Sequence, residues 1–394
     1  MKHVVFLLTL VVFVGCGGEH GGGDDALRFD IAIDTVMINP GQEILFLNAG
    51  LYGAVLSNDK KHLYNFNHTE FSIEKIDLES LAFERKIEIS KEGPNGVGQY
   101  FMGILPLDEE KLLFRCYRQD NVLDWEAKKL RQFDFTKIGD DENKVTEEEN
   151  FYSLVRMDDG LESFLGLANR YREKITTAVH VNLTSNSAKR YEIPLFEKAK
   201  KFQVEIGDGG SFGVQSYLVK EGGKAIVCSE ISSDMYVYNP ESDSFEAYTY
   251  LSELTAAEKT GTYPATVGGI EDLAPVYRRM QEEIAFMPPH WDEINEVFYR
   301  FSFISVFDDS VEQPENSPIP RATGAKVYLS VYDKDLNLIA ESFMPMLNAR
   351  PAFHFAKDGK LWMFENIEDE MGFVSFLISD LGTVQSEIHN PPTK

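Results

Sequence analysis

A tight polar turn between two short apolar segments recurs along the chain, and it constrains the fold more than any other feature. The segment MYVYNPESDSFEAYTY, residues 235–250, is typical of a strand, a turn and a second strand. Asp and Asn favour such turns because their side chains bond the turn backbone and tolerate left-handed geometry. Comparable turns are centred on Asp77, Asp134, Asn182, Asn239, Asp333 and Asp380.

Each turn is preceded by a second shared element, a polar residue followed by a short, mostly apolar run. Examples are EKLLFRCY before Asp134 and DGKLWMFEN before Asp380, and a further apolar run precedes most of them. A repeated unit of four antiparallel strands is the plan of a propeller blade. The sequence therefore predicts an all-β fold, a six-bladed β-propeller of four-stranded antiparallel blades over residues 26–390.

The longest gap between two turns contains an insertion. Apolar residues from Leu273 to Met280 recur at helical spacing, which predicts a short helical insertion at about 251–283. The segment DDSVEQPENSPIPR predicts a long surface loop, and the early strand RFDIAIDTVMI could be the outer strand of the last blade. Two β-sandwiches split near residue 200 are the alternative fold, since sandwiches also produce many short strands.

The first residues, MKHVVFLLTLVVFVGC, contain an apolar run that is too short to span a bilayer and has the length of a signal-peptide core. The terminal VGC resembles the lipobox of bacterial lipoproteins. That resemblance implies a signal peptide over residues 1–15 and lipid attachment at Cys16; an ordinary secretory signal is the alternative. The glycine-rich residues 16–25 predict a flexible tether.

The charge of the chain limits its partners. The formal net charge is -26, from 64 acidic and 38 basic residues. Such a balance repels phosphate backbones, so we predict no nucleic-acid partner. The predicted membrane contact depends on the lipid anchor and not on the net charge, because acyl chains dominate membrane affinity. Cys116 and Cys228 stand in apolar, strand-like runs, which favours buried and unpaired thiols.

Several segments together resemble a known family. They are the lipobox, KAIVCSEISSDMYVYNPESDSFEAY, HWDEINEVFYRFSF and DGKLWMFEN. The chain resembles an uncharacterised domain-of-unknown-function family of Bacteroidetes lipoproteins. The resemblance implies a six-bladed β-propeller type of fold and an outer-membrane lipoprotein that faces the periplasm or the cell surface. It implies no reaction, because none is assigned to that family.

Four short motifs suggest chemistry that their context does not support. Ser211 in GGSFG matches a nucleophile elbow, but that device needs a helix after the turn and strand-like residues follow here. DKDLN lacks the later glycine and glutamate of a calcium loop. His290 and Asp292 share a strand face without a third partner, and the acidic run 139–150 is typical of a solvated loop. We therefore predict no catalytic residue, metal site or cofactor.

One constellation predicts a ligand site. In a propeller, the loops that follow the second strand of each blade open at the same end, and here they begin near His68, Arg118, Arg170, Glu230, Arg300 and Glu365. With Arg172, the arginines could bind an anionic group bidentately, and Tyr117, Tyr171 and Tyr299 could add stacking surface. In the alternative interpretation, each arginine pairs with a carboxylate of a neighbouring blade and joins the blades.

The sequence thus favours a membrane-anchored binding module for an unknown peptide, glycan or protein partner. One alternative is a propeller-type hydrolase or lyase acting on polysaccharide, for which Glu230 and Glu365 are the candidate carboxylate pair. A second alternative is a structural subunit of an envelope complex, which predicts an exposed apolar patch around Tyr277.

Overall fold

The structure is a computed structural model that describes residues 29–48, 50–158, 162–207, 209–313 and 317–379. The predicted signal peptide, lipidated Cys16 and tether lie outside the described residues, as does the predicted turn residue Asp380. Among the described residues, no helix is both long enough and apolar enough to cross a membrane.

Short antiparallel strands dominate the first half of the chain. The first strand is β1 (Asp30–Met37). Sheet 1 contains β2 (Val55–Leu56), β3 (His62–Asn67), β4 (Ser72–Asp77) and β5 (Ala82–Glu88). Sheet 2 contains β6 (Phe101–Pro106), β7 (Lys111–Cys116), β8 (Gln119–Asp124) and β9 (Lys129–Phe133). After a 3₁₀ turn (Phe135–Lys137), sheet 3 contains β10 (Asn150–Arg156), β11 (Ser163–Arg170), β12 (Ile175–Asn182) and β13 (Ser187–Tyr191).

The second half repeats the plan with insertions. Helix α1 (Pro194–Lys200), β14 (Val204–Ile206) and β15 (Gly210–Phe212) precede sheet 4. Sheet 4 contains β16 (Ser216–Glu221), β17 (Lys224–Ser229), β18 (Ser232–Asn239) and β19 (Ser244–Tyr248). Next come β20 (Thr266–Val267) and helix α2 (Ile270–Gln281). Sheet 5 contains β21 (Ala285–Phe286), β22 (His290–Asp292), β23 (Val297–Val306), β24 (Gly324–Asp333) and β25 (Leu338–Phe343). Sheet 6 contains β26 (His354–Lys357), β27 (Lys360–Ile367) and β28 (Glu370–Ser379).

The first strand completes the last sheet. β1 pairs antiparallel with β28 from Asp30 opposite Ser379 to Met37 opposite Gly372. Sheet 6 therefore has four strands, in the order β1, β28, β27, β26. This pairing was predicted from the early apolar strand that had no blade of its own.

The predicted Asp and Asn turns are present in four sheets. In sheet 1, for example, Asp77 accepts the backbone N–H groups of Glu79 and Ser80 at 2.7 and 2.9 Å. The equivalent turn residues in sheets 3, 4 and 5 are Asn182, Asn239 and Asp333.

The prediction for Asp134 was wrong. Asp134 follows β9 and accepts the backbone N–H of Thr136 at the start of the 3₁₀ turn. The hairpin of sheet 2 is made by Asp124, whose carboxylate accepts the N–H groups of Glu126 and Lys128. Both residues follow apolar runs that end in a polar turn, so local sequence could not separate a hairpin from a loop that leaves the sheet.

Buried apolar side chains form a cluster between each pair of sheets that are consecutive in the chain. A sixth cluster joins sheet 6 to sheet 1, where Phe373 and Trp362 share a core with Leu63. Cys116 and Cys228 are buried and unpaired in β7 and β17, as predicted. Most of the core therefore lies between sheets, where each face of a sheet is covered by a neighbour.

The predicted helix is α2, which buries Leu273, Val276 and Met280 against sheets 3 and 4. The sequence did not predict α1 or the three-stranded sheet formed by β14, β15 and β20. Helix α1 has only seven residues, too few to show a periodic pattern. β14 and β20 pair in parallel, which requires a connection that short-range patterns do not specify.

Candidate functional site

The turns between second and third strands and the loops that join consecutive sheets lie at the same end of the sheets. This follows from the meander order, because each strand reverses the direction of the one before it. We call this end the connection end. The predicted residues Arg118, Arg170 and Glu230 belong to it.

Arg118 occupies the tight turn between β7 and β8, with a left-handed φ of 55°. Its guanidinium lies over the Tyr117 ring, 5.1 Å from the centroid. It also donates to the carboxylate and the carbonyl of Glu147 at 3.4 and 3.0 Å. The arginine is therefore held by the loop that joins sheet 2 to sheet 3.

The Glu149 carboxylate binds two arginines, Arg170 and Arg190. Its carboxylate accepts from Arg190 at 2.7 and 2.9 Å, and from the Nε of Arg170 at 3.4 Å. Burial alone would raise the pKa of Glu149, but hydrogen bonds from Arg190 and Thr146 outweigh burial and lower that pKa. The acidic run 139–150 is therefore only partly a solvated loop, because Glu149 is a buried anchor within it.

A cavity of about 40 Å³ lies beneath the Tyr117–Arg118 turn, between sheets 2 and 3. Its floor contains the buried ion pair of Arg115 and Asp120, at 2.7 Å. Burial raises the pKa of Asp120, and the Arg115 guanidinium opposes part of that rise. A space of this size holds about one water or one small ligand group, and not a whole ligand.

Glu230 lies in a separate network at the connection end. Its carboxylate accepts from Tyr217 at 3.2 Å and from Arg350 at 3.0 Å. Nearby Lys259 is buried, and burial lowers its pKa to about 8 although the Glu230 and Glu283 carboxylates oppose that change. Glu230 therefore has a cationic and a phenolic partner already, and its cationic partner, Arg350, is not one of the arginines that the sequence singled out.

The structure corrects the placement of Arg300 and Tyr299. β23 continues to Val306, so both residues lie within a strand and not at the start of a loop. Arg300 is 1% exposed and donates to the carbonyls of Met287, Ser232 and Ser233. Tyr299 is equally buried and offers no stacking surface. Neither residue belongs to a surface site.

The remaining predicted residues are exposed but dispersed. Arg172 lies in the turn between β11 and β12, and Glu365 lies near the end of β27. His68 follows β3 and packs edge-on against Phe66 and Phe101, with centroids 4.9 and 5.4 Å apart. Glu230 lies between β17 and β18 of sheet 4, and Glu365 lies in sheet 6.

Four exposed tyrosines form the feature that the sequence identified only in part. Among the described residues, the tyrosines with mostly solvent-exposed rings are Tyr52, Tyr100, Tyr117 and Tyr171, at 78, 73, 56 and 56%. All four lie at the connection end of sheets 1, 2 and 3. Tyr52 and Tyr100 were missed, although each stands at the end of a glycine-containing loop just before the first strand of a sheet. We call these four residues the tyrosine arc.

Backbone and side-chain contacts connect neighbouring parts of the tyrosine arc. The N–H of Tyr117 donates to the carbonyl of Tyr100 at 2.9 Å. Gly53, beside Tyr52, faces the Phe101 ring so closely that an added Cβ would lie 3.4 Å from it. At the other end, Asn150 donates to the Tyr171 hydroxyl at 3.5 Å, and Asn150 follows Glu149 directly.

The other predicted motifs have ordinary surroundings. Ser211 lies in the middle of β15, not at a turn between a strand and a helix. Asp333 accepts the N–H groups of Asp335 and Asn337, so DKDLN is a hairpin turn. Within the described part of the chain, no group of three or more His, Cys, Asp or Glu residues could hold a metal ion.

His290 contacts partners other than Asp292. Its Nδ1 lies 3.2 Å from Glu221, and its ring meets that of His354 edge-on at 4.6 Å. Burial, followed by the proximity of His290, lowers the pKa of His354 to about 3. The three residues lie on β16, β22 and β26, in sheets 4, 5 and 6, where they join neighbouring sheets.

Comparison with known proteins agrees with this architecture. A structure of a DUF4221 family member from Bacteroides vulgatus matches with a TM-score of 0.63 at 14% identity, covering 90% of this chain and 99% of that one. A presumed exported protein from Bacteroides fragilis matches with a TM-score of 0.50 at 9% identity, over 90% and 98% of the two chains. At these identities the likeness concerns the fold alone. No curated protein matches the sequence.

The family model for the domain of unknown function DUF4221 matches residues 26–343. The match covers most of the chain and includes five of its six large sheets. This chain therefore belongs to the DUF4221 family.

Proposed function

We propose that this protein is an outer-membrane-anchored lipoprotein whose six large sheets are the blades of a closed β-propeller, and that its connection end binds a ligand or partner. Two observations support closure. The cluster around Phe373 and Leu63 covers the sheet 6 to sheet 1 junction, and β1 pairs with β28, which joins the first described strand to the last.

The observation that carries the binding function is the placement of the tyrosine arc. The described tyrosines with mostly exposed rings all lie at one end of the sheets, although tyrosines occur throughout the chain. Tyrosine supplies a rigid contact surface that is both apolar and polar, so it is enriched where proteins bind ligands and partners. Exposed aromatic rings that only met solvent would not need to share one end of the fold.

A thermal-shift screen tests the binding function. The full chain would be screened against glycans, peptides, nucleotides and divalent ions. A ligand present at a hundred times its dissociation constant stabilises the fold by about 2.7 kcal/mol, which a thermal-shift assay detects. Loss of that shift on replacing Tyr100 and Tyr117 by Ser would support the connection end as the site, whereas an unchanged shift would place binding elsewhere.

The anchor rests on the lipobox resemblance at Cys16. Labelling of expressing cells with radioactive palmitate is expected to label the protein, and Cys16→Ser is expected to abolish the label and to leave unprocessed precursor. Equal labelling of the Cys16→Ser chain would contradict lipid attachment at this residue. Protease treatment of intact cells then distinguishes a periplasmic orientation from surface display.

A further inference from the structure

Within the tyrosine arc, polar side chains separate the Tyr117 ring from the Tyr171 ring. Between Tyr117 and Tyr171 lie the Arg118–Glu147 pair and Asn150. Protein interfaces generally need a contiguous core from which water is excluded. Separated rings with polar groups between them suit a ligand whose own apolar and polar surfaces alternate over short distances.

Arg115, Arg118 and Arg170 beside the tyrosine arc are all paired with carboxylates. Arg118 pairs with Glu147, and Arg170 shares Glu149 with Arg190. Beneath them, Arg115 pairs with Asp120. Lys137 also contacts Glu147 at 3.2 Å, so Glu147 and Glu149 are each shared by two cations. The paired groups therefore carry a small excess of positive charge in a chain whose formal net charge is -26. Because these guanidinium groups already contact carboxylates, a charged ligand would have to compete with existing ion pairs, whereas a neutral ligand leaves those pairs intact.

These paired groups also place donors and acceptors side by side. The Arg118 guanidinium retains N–H groups and the Glu147 carboxylate retains lone pairs beyond those used in the pair, whereas the Glu149 carboxylate already accepts four hydrogen bonds. A hydroxyl both donates and accepts, so it can bridge such a pair without an unmatched charge. The ion pairs hold both groups in position before a ligand arrives, which reduces the entropy lost on binding.

We propose that the tyrosine arc binds a neutral saccharide chain. Tyrosine rings pack against the C–H faces of the sugar rings, and the sugar hydroxyls bond to the Arg118–Glu147 pair and to Asn150. The cavity beneath Tyr117 has room for about one hydroxymethyl group or water. This inference rests on the proposed binding function and gives that same site its ligand class.

The test uses neutral hexasaccharides of glucose, mannose, xylose and galactose, titrated calorimetrically into the full chain. We expect saturable binding of at least one of them, with little dependence on salt because the ligand is uncharged. Tyr100→Ser combined with Tyr117→Ser should weaken that binding by about tenfold or more, since two stacking contacts are lost. Folding should be unaffected, because both rings are mostly in solvent.

Matched controls separate the ring from general surface effects. Tyr100→Phe with Tyr117→Phe keeps both rings, so most of the affinity should remain. Ile294→Ser removes a side chain that is 67% exposed in the turn between β22 and β23, at the opposite end, and should change nothing. Equal loss of binding in the Ile294→Ser chain would overturn the proposal.

Other outcomes would also overturn the saccharide assignment. One is the absence of binding by every neutral hexasaccharide, and another is undiminished binding by the double Ser variant. The third is salt-sensitive binding of oligogalacturonate alone, which would indicate an anion site at the arginines. A peptide or protein ligand lost in the double Ser variant would overturn the saccharide but keep the proposed binding function. If the double Ser variant binds every ligand as tightly as the wild type does, both the saccharide proposal and the proposed binding site at the connection end are wrong.

Discussion

At the scale of single residues, Arg300 shows how burial changes the role of a side chain. Its guanidinium is fully buried, lies 5.2 Å from the Phe286 ring centroid and donates to three carbonyls. Two of those carbonyls belong to Ser232 and Ser233 of sheet 4, so the arginine joins sheet 5 to sheet 4. Its role is structural.

Arg300→Ala is expected to lower the free energy of unfolding by about 3 kcal/mol or more, because it leaves buried carbonyls without a donor. Urea denaturation of the two chains measures the difference. Arg172→Ala is the matched control, since Arg172 is exposed, and its effect should stay within about 0.5 kcal/mol. Similar stability of the Arg300→Ala chain and the wild type would contradict the structural role.

At the scale of elements, the Asp and Asn turns determine where each outer strand begins. The Asp77 carboxylate accepts two backbone N–H groups, and those hydrogen bonds are the leading cause that lowers its pKa. These bonds span only two and three residues, which is why the turns could be predicted from the sequence. The prediction for Asp134 was wrong because the turn at Asp134 follows the last strand of sheet 2 and begins the connection to sheet 3.

Asp77→Ala should lower the free energy of unfolding by about 1 kcal/mol at neutral pH, and Asp77→Asn should restore most of it by keeping an acceptor. The folded pKa is below its unfolded value, so the stabilisation is present above that unfolded value and is lost as the pH falls through the folded pKa. Denaturation at pH 7 and at acid pH checks both effects. A loss of equal size in the Asn variant would argue against the turn hydrogen bonds.

Helix α2 is joined to the sheets by Lys259, whose Nζ donates to the carbonyls of Met280 and Glu283 at 2.9 and 3.3 Å. The pKa of Lys259 in the folded chain is about 8, below the ordinary lysine value of 10.5. Between those two pH values the unfolded chain binds more protons at this group than the folded chain does. The contribution of Lys259 to the free energy of unfolding therefore rises with pH in that window.

The comparison with Lys259→Met isolates that contribution. The wild-type free energy of unfolding, minus that of the variant, should increase by up to about 3 kcal/mol between pH 8 and pH 10.5. Urea denaturation of both chains at several pH values measures this difference. Tyrosine titration affects both chains equally, so it cancels when the free energy of the variant is subtracted from that of the wild type. A difference that stays constant across this window would show that the buried amine keeps its usual pKa.

At the scale of the whole molecule, the pairing of β1 with β28 joins the first described strand to the last sheet. Phe29, immediately before β1, is 3% exposed in the cluster between sheets 5 and 6. Without β1, β28 would become an unpaired edge strand, and such edges promote aggregation.

A chain that begins at residue 38 should therefore be less stable than one that begins at residue 29, by at least about 3 kcal/mol from the loss of the buried Phe29 ring alone. Denaturation and size-exclusion chromatography compare the two, with the longer chain as the control. The shorter chain is also expected to aggregate. A monomeric shorter chain of equal stability would show that β1 is dispensable for the fold.

The sequence alone determined the all-β class, the four-strand unit, helix α2 and most turns, because those features depend on residues a few positions apart. Only the tertiary structure decided the partners of the charged side chains. Glu230 meets Arg350 from 120 positions away, and Arg118 meets Glu147 from 29. Residue pairs at such separations leave no periodic pattern in the sequence. The exposure of a side chain also depends on which neighbouring sheet covers it. The tyrosine arc therefore emerged only when three sheets placed their loops at one end.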